Sequence, residues 1–417
     1  QSKKSDSGLL SAGVLEISGN LTQLSGGSYY NFCTTDTHTI VLNGSKGQTI
    51  SIANNDKNYS RIANLKIENI SAEGVNIATR VYILNNLYNT DSVVTGSSNL
   101  YITATTEFPD SRWNYDANFV ENRTVPANLS IGGSAYINAS LTLASNTAVE
   151  NGLNVNSNLN LNGYTLSVDG DIWLSNGYLN VNKGKLYVGG DLNVSSTNKN
   201  YGFGYLTMQN DEDYILVNGN MYAYPVYNYS SLTAGTIELK GDFAQKYYPG
   251  SHQNNFYCSG SHKVILSGEK LQTVSFASTQ SQFNVLDVQN FSEDGVVFST
   301  AATVVELLDN GCNVSFANGE RSGWTLEDDE VIDGDLNLSR GTLDLNGHKL
   351  TVTGNLVQSG GNVLVNGGEL EVQGDYRVQA LNGGTYTTSS GTLTMKNDSD
   401  AVKVGGDFVM QSTRSHS

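Results

Sequence analysis

The chain has 417 residues, more than a single compact core usually holds, so it is either divided into domains or elongated. Its formal charge of −17 comes from 40 Asp and Glu against 23 Lys and Arg with no basic run, which excludes partners held by neutralising phosphates and therefore nucleic acid. Only 15% of residues are charged while 44 are glycine and asparagine is abundant, a composition that disfavours long helices; no run of apolar residues is long enough to insert in a membrane, and residues 1–8 lack the apolar centre of a signal peptide.

From the N-terminus, LSAGVLEISGNLTQ (residues 10–23), THTIVLNG (37–44) and NLKIENISAEGV (64–75) alternate apolar and polar positions and break at Gly or Asn. This reads as short strands joined by tight corners. Residues 105–126, TTEFPDSRWNYDANFVENRTVP, break the period, hold two of the four prolines and carry Trp113, and are expected to form a loop or side excursion. The period is clearest at residues 159–194, LNLNGYTLSVDGDIWLSNGYLNVNKGKLYVGGDLNV, where apolar i, i+2 pairs begin at Leu159, Leu166, Ile172, Leu179, Leu186 and Leu192. Three consecutive steps always cover the same length of chain, from Leu159 to Leu179, from Leu166 to Leu186 and from Ile172 to Leu192, so three short strands make one turn of a coil. Each rung has three inward faces that only stacking can bury. The spacing therefore predicts an all-β parallel β-helix (β-solenoid) of about 20 residues and three short strands per rung.

The second half repeats the first. LTAGTIELKGDFAQ (232–245), SHKVILSG (261–268) and VLDVQNFSEDGV (285–296) match the three opening segments in order. LDLNGHKLTVTGNL (343–356) matches residues 159–172, and LTMKNDSDAVKVGGD (393–407) matches LTMQNDEDYILVNGN (206–220). The stretch from Gly74 to Leu159 is longer than the equivalent stretch from Gly295 to Leu343, by an excess that corresponds to nearly two rungs. The expected organisation is a first long repeat over residues 1–230, with its irregular insert near 105–126, and a second, shorter one over 231–417, forming one continuous rod. Residues 411–417, QSTRSHS, echo residues 1–7, QSKKSDS, as expected of whole units from a longer array or of copies stacked head to tail.

Gly-Asp before an apolar residue recurs at Asp171, Asp191, Asp242, Asp335, Asp375 and Asp407, and Gly-Asn at Asn20, Asn220 and Asn355. A column of carboxylates could bind calcium; the free exchange of Asp for Asn points instead to turn chemistry. Two acidic clusters, Asp110, Asp116 and Glu121 beside Arg112, Trp113 and Tyr115, and Glu327, Asp328, Asp329 and Glu330, are the places where a polysaccharide-cleaving site could sit. Trp113 and Tyr115, with Tyr222 and Tyr224 in MYAYPVYNYS (221–230) and Tyr227 and Tyr229 close behind, are candidate contacts for glycans or protein. His38 and His262 occupy equivalent places, as Cys33 and Cys258 roughly do, which favours packing roles; with Cys312 they make three cysteines, too few for a disulfide framework. Nucleophile-elbow, zinc and phosphate-loop motifs are missing, so neither catalysis nor a cofactor beyond the calcium candidate is expected.

LDLNGHKLTVTGNLVQSGG (343–361) and GELEVQGDYRVQ (368–379) resemble the Gly/Asn-rich repeats of filamentous-haemagglutinin-like bacterial surface adhesins. The resemblance implies a right-handed parallel β-helix and an extracellular, secreted or surface-attached stalk. The expected function is a structural and adhesive segment of a giant repetitive protein or fibre, offering a rigid stalk and a multivalent contact surface. Its expected partners are neighbouring repeats or copies of itself end to end, with glycans or a host surface besides. A polysaccharide-active lyase or glycoside hydrolase and a subunit of a head-to-tail filament are the alternatives.

Overall fold

The computed structural model describes residues 9–26, 32–56, 58–194, 204–224, 231–246, 254–278, 280–308, 310, 312, 314–316, 320–321, 324–338, 342–382 and 385–413. Among them every regular element is a β-strand except one 3-10 turn at Ser97–Asn99, and no helix is long and apolar enough to cross a membrane. The strands pair in parallel, apart from the hairpin of Tyr376–Asn382 with Thr385–Thr388. The fold is a parallel β-helix. By its contacts the chain forms two units, Gln1–Gly190 and Asp191–Ser417.

In the first unit one sheet runs from Val14–Ile17 through Thr39–Leu42, Arg61–Ile67 and Val81–Leu87 to Ile172–Leu174. As far as Leu100–Ile102, neighbours in this sheet are every second strand of the chain, so a turn contains two strands; from Ala117–Phe119 onward they are every third. The register records the change. Val14 pairs with Thr39 and Thr39 with Asn64, two equal steps along the chain, whereas Ala117 pairs with Ala135 and Ala135 with Leu153, again equal but markedly shorter. Leu159 pairs with Leu179 and Leu166 with Leu186, the very steps at which the sequence period was plainest. The second unit repeats the pattern: Phe243–Gln245, Gln272–Phe276, Val296–Phe298 and Val314–Phe316 are successive neighbours with two strands per turn, and three-strand turns resume at Glu320–Arg321.

The alternation in the sequence decides what is buried. Strands such as Ile172–Leu174 and Leu153–Val155 bury their outer two residues and leave the middle one half-buried on the outer face. In the two-strand turns the columns are bulkier. Ile40, Leu65 and Leu87 are in register and wholly buried in the first unit, and Phe243, Phe256, Phe276 and Phe283 pack with ring centroids 4.7 to 5.9 Å apart in the second. At about 25 cal/mol per Å² of apolar surface, such stacks supply the main driving force for each turn.

Residues 105–126 do not form the expected excursion. Arg112–Trp113 pairs with Ser130–Ile131, Ala117–Phe119 with Ala135–Ile137, and Arg123–Thr124 with Leu141–Thr142, so the segment is a turn of the coil. Its strands are only two or three residues long, and the turns stacked on them settle their conformation.

Three corners of the three-strand turns use Asn-Gly in left-handed conformation: Asn162-Gly163 (φ 51° and 82°), Asn346-Gly347 (44° and 86°) and Asn366-Gly367 (45° and 84°). At the fourth, Asn182-Lys183, the glycine place is taken by Lys183 at φ 65°. A Cβ in this region costs about 1–2 kcal/mol. Lys183→Gly is expected to stabilise the chain by about 1 kcal/mol and Gly163→Ala, whose new Cβ would meet no atom within 4 Å, to destabilise it by a similar amount; the shift in urea midpoint reads both.

Candidate functional site

The Gly-Asx corners form a hydrogen-bonded file. Asp335 Oδ1 accepts the backbone N–H of Asn355 (2.7 Å), Asn355 Oδ1 that of Asp375 (2.8 Å), and Asp375 Oδ1 that of Asp407 (2.8 Å). Asp191, Asn220 and Asp242 do the same toward Asn220, Asp242 and Thr273, and Asn20 toward Thr49. Each oxygen satisfies a corner N–H, and since one acceptor is all that is needed, Asn serves as well as Asp. The glycine is explained by the same contact. A Cβ on Gly354, Gly374 or Gly406 would lie 2.3, 2.5 or 2.4 Å from the Oδ1 of Asp335, Asn355 or Asp375 in the preceding rung, so the amide or carboxylate fits only beneath a residue without a side chain.

The calcium candidates are thus spread one to a rung along these files, with Asp171 beneath Gly190 in the first unit. Among the described residues no group of three His, Cys, Asp or Glu is gathered that could hold a metal ion. Asp375 is held below the usual carboxylate range by the N–H of Asp407 and by Arg377. Asp407 is exposed.

The first acidic cluster is taken up by the coil. Asp110 Oδ2 accepts the N–H of Asn89 (2.9 Å), Asp116 Oδ1 that of Ser134 (2.8 Å), and Glu121 Oε2 that of Ala104 (3.1 Å). Arg112 makes a two-pronged ion pair with Glu150 (2.5 and 3.1 Å), which raises the guanidinium pKa and lowers that of the carboxylate. Trp113 is fully buried and donates Nε1–H to Asp116 O (2.9 Å); its ring has no face toward solvent, which corrects its expected place as a ligand contact. Tyr115 is half-buried, packs edge-on to Trp113 at 5.6 Å and donates its hydroxyl hydrogen to Ser92 O. In the second cluster Glu327, Asp328 and Asp329 are exposed and Asp329 Oδ1 accepts the N–H of Lys349 (2.7 Å).

Tyr222 and Tyr224 lie side by side with centroids 6.1 Å apart, and Lys246 Nζ stands 5.8 Å over the Tyr222 ring; Tyr227 and Tyr229 lie outside the described residues, as do 1–7 and 414–417 of the terminal echo. Cys33, Cys258 and Cys312 are free thiols, and burial raises the pKa of the first two.

Two features had no reading in the sequence. One is a polar box present in both units. Gln48 Oε1 accepts from Gly44 N and Asn69 Nδ2 while its Nε2 donates to Ile17 O and Gly19 O. Gln272 does the same with Gly268, Asn290, Leu239 and Gly241. The other is an outward file of aromatic and amide side chains, Tyr82, Tyr101, Asn118, Tyr136, Asn154 and Trp173, whose members are so far apart in sequence that only the register unites them.

No family model, no curated protein and no solved structure matches this chain.

One of the paired histidines, His262, carries a pH signature. His38 Nδ1 and His262 Nδ1 each lie 2.8 Å from a backbone oxygen, of Ala12 and Ala234, and neither Nε2 has a partner. Burial holds His262 neutral, its pKa lowered from 6.5 to about 4, with the Ala234 bond and Asp213 opposing. The unfolded chain therefore takes up the proton first. Stability is expected to be full above pH 6.5 and to fall, by on the order of 3 kcal/mol, as the pH drops toward 4. In urea titrations across that window His262→Gln should flatten the slope.

Proposed function

We propose that the chain is a structural and adhesive segment of a giant repetitive extracellular bacterial surface protein or fibre, a rigid stalk whose sides act as a multivalent contact surface. The observation that carries this reading is the use made of the acidic side chains. Asp110, Asp116 and Glu121, the best set for acid–base chemistry, each accept a backbone N–H within the coil. A hydrolase or lyase needs carboxyl groups free to move a proton at the substrate. These are instead part of what holds turn to turn.

Stiffness follows from the same economy. Parallel ladders bond each turn to the next, buried columns run through them, and corner side chains satisfy N–H groups that the ladders miss. The charge of −17 keeps such segments from clumping, and a polar outer surface repeated along an array converts weak single contacts into avidity.

Two assays test the reading together. Incubated with plant, bacterial and animal polysaccharides, the protein should release no reducing ends and no unsaturated sugars. Coated densely on beads, it should make them adhere to glycan-bearing cells, while the free chain competes on the order of 100-fold less effectively per molecule. Sustained sugar release would favour an enzyme instead, and failure of the coated beads to adhere would remove the adhesive part.

A further inference from the structure

The outward file noted above belongs neither to the core nor to the corners. Tyr82, Tyr101, Asn118, Tyr136, Asn154 and Trp173 stand in register on consecutive turns of one sheet in the first unit. In the last five strands each is the central residue between two buried ones, and so faces out from the pleat. From Tyr101 onward the file alternates ring, amide, ring, amide, ring. Turns stack at about 4.8 Å, so Tyr136 and Trp173 stand roughly 9.5 Å apart with the Asn154 amide between them.

One end of the file is closed: Tyr82 packs edge-on against Tyr101 at 5.0 Å, and Arg80 lies 5.5 Å over the Tyr101 ring. Tyr136 and Trp173, both half-buried, have no aromatic or cationic partner on their rings among the described residues. The coil itself does not call for rings here. A file in the second unit, on Leu192–Val194 and the strands stacked on it, runs Asn193, Tyr222, Ala244 and Ser275, and the residue that matches Trp173 in the duplicated segment is Val357. Asp116 and Asp171 stand two positions before Asn118 and Trp173, giving this edge of the strip a negative charge.

We propose that this strip binds an uncharged, extended β-linked polysaccharide lying along the stacking direction. A pyranose ring has a face of C–H groups that packs on an aromatic ring. In an extended β-linked chain successive sugars are flipped by half a turn, so every second ring offers the same face, at a spacing close to two turns of the coil. Tyr136 and Trp173 take alternate sugars and the Asn154 amide reaches the hydroxyls of the sugar between. The acidic edge and the net charge select against anionic glycans. The proposal deepens the adhesive reading and rests on it only for its biological use.

Affinity electrophoresis of the protein in gels containing hydroxyethylcellulose tests it. The native chain is expected to be retarded, the double substitution Tyr136→Ala, Trp173→Ala to lose at least ten-fold in affinity with an unchanged urea midpoint, and Trp173→Phe to keep most of it. Absence of retardation, or a double variant that migrates like the native chain, overturns the proposal. Equal retardation by carboxymethylcellulose overturns the selection for an uncharged glycan. Retardation accompanied by release of reducing ends would leave the strip standing and overturn the non-catalytic function instead.

Discussion

A parallel coil depends on what happens to backbone N–H groups where the chain turns from one sheet to the next. Within the strands the ladder pairs them with the turn alongside; at the corners an unpaired N–H beside a packed core would cost about 1–3 kcal/mol. Here the side-chain oxygen of an Asp or Asn takes that N–H, as Asn355 does for Asp375, and the glycine before each acceptor leaves room for the oxygen beneath it. The recurring Gly-Asx dipeptide thus combines two requirements of one contact, an acceptor that reaches forward and a gap that receives the acceptor reaching from behind.

The two-strand turns keep the Gly-Asx contact, from Asn20 to Thr49 and from Asp242 to Thr273, and add a second device. Strands there are longer, as at Arg61–Ile67 and Val81–Leu87, and the third strand is replaced by a corner held by Gln48 and Asn69 in the first unit and by Gln272 and Asn290 in the second. Asn69 Oδ1 also accepts from Ser71 N and Asn290 Oδ1 from Ser292 N, so the loop geometry is preserved in both copies along with the box. Residues 10–75 and 232–296 thus share their hydrogen bonds as well as their sequence pattern.

What the sequence made legible follows from strand length and repetition. Residues 159–190 announced their coil because strands such as Thr165–Val168 and Lys185–Val188 alternate cleanly and pair at the same step that separates Leu166 from Leu186 in the apolar pattern. The turn containing Arg112–Trp113 was hidden because so short a strand carries no period and Trp113 looks like a surface anchor until its Nε1 is seen bonded to Asp116 O in the interior. The corner acids were ambiguous because an oxygen that accepts an N–H and one that ligates calcium belong to the same residue type; only geometry separates them. The Tyr136–Trp173 strip was invisible for another reason: its members are distant along the chain, and their adjacency is a product of register.

The central claim is that the corner oxygen is a backbone acceptor, and Asp335 tests it directly because its Oδ1 receives both the N–H (2.7 Å) and the side-chain Nδ2 (3.1 Å) of Asn355. Urea denaturation of the native chain, Asp335→Asn and Asp335→Ala, each with and without millimolar calcium, is the decisive comparison. The account predicts that Asn keeps the native midpoint, that Ala loses about 1–2 kcal/mol, and that calcium shifts none of the three. Loss of stability in Asp335→Asn equal to that in Asp335→Ala, with calcium stabilising only the native chain, would contradict it.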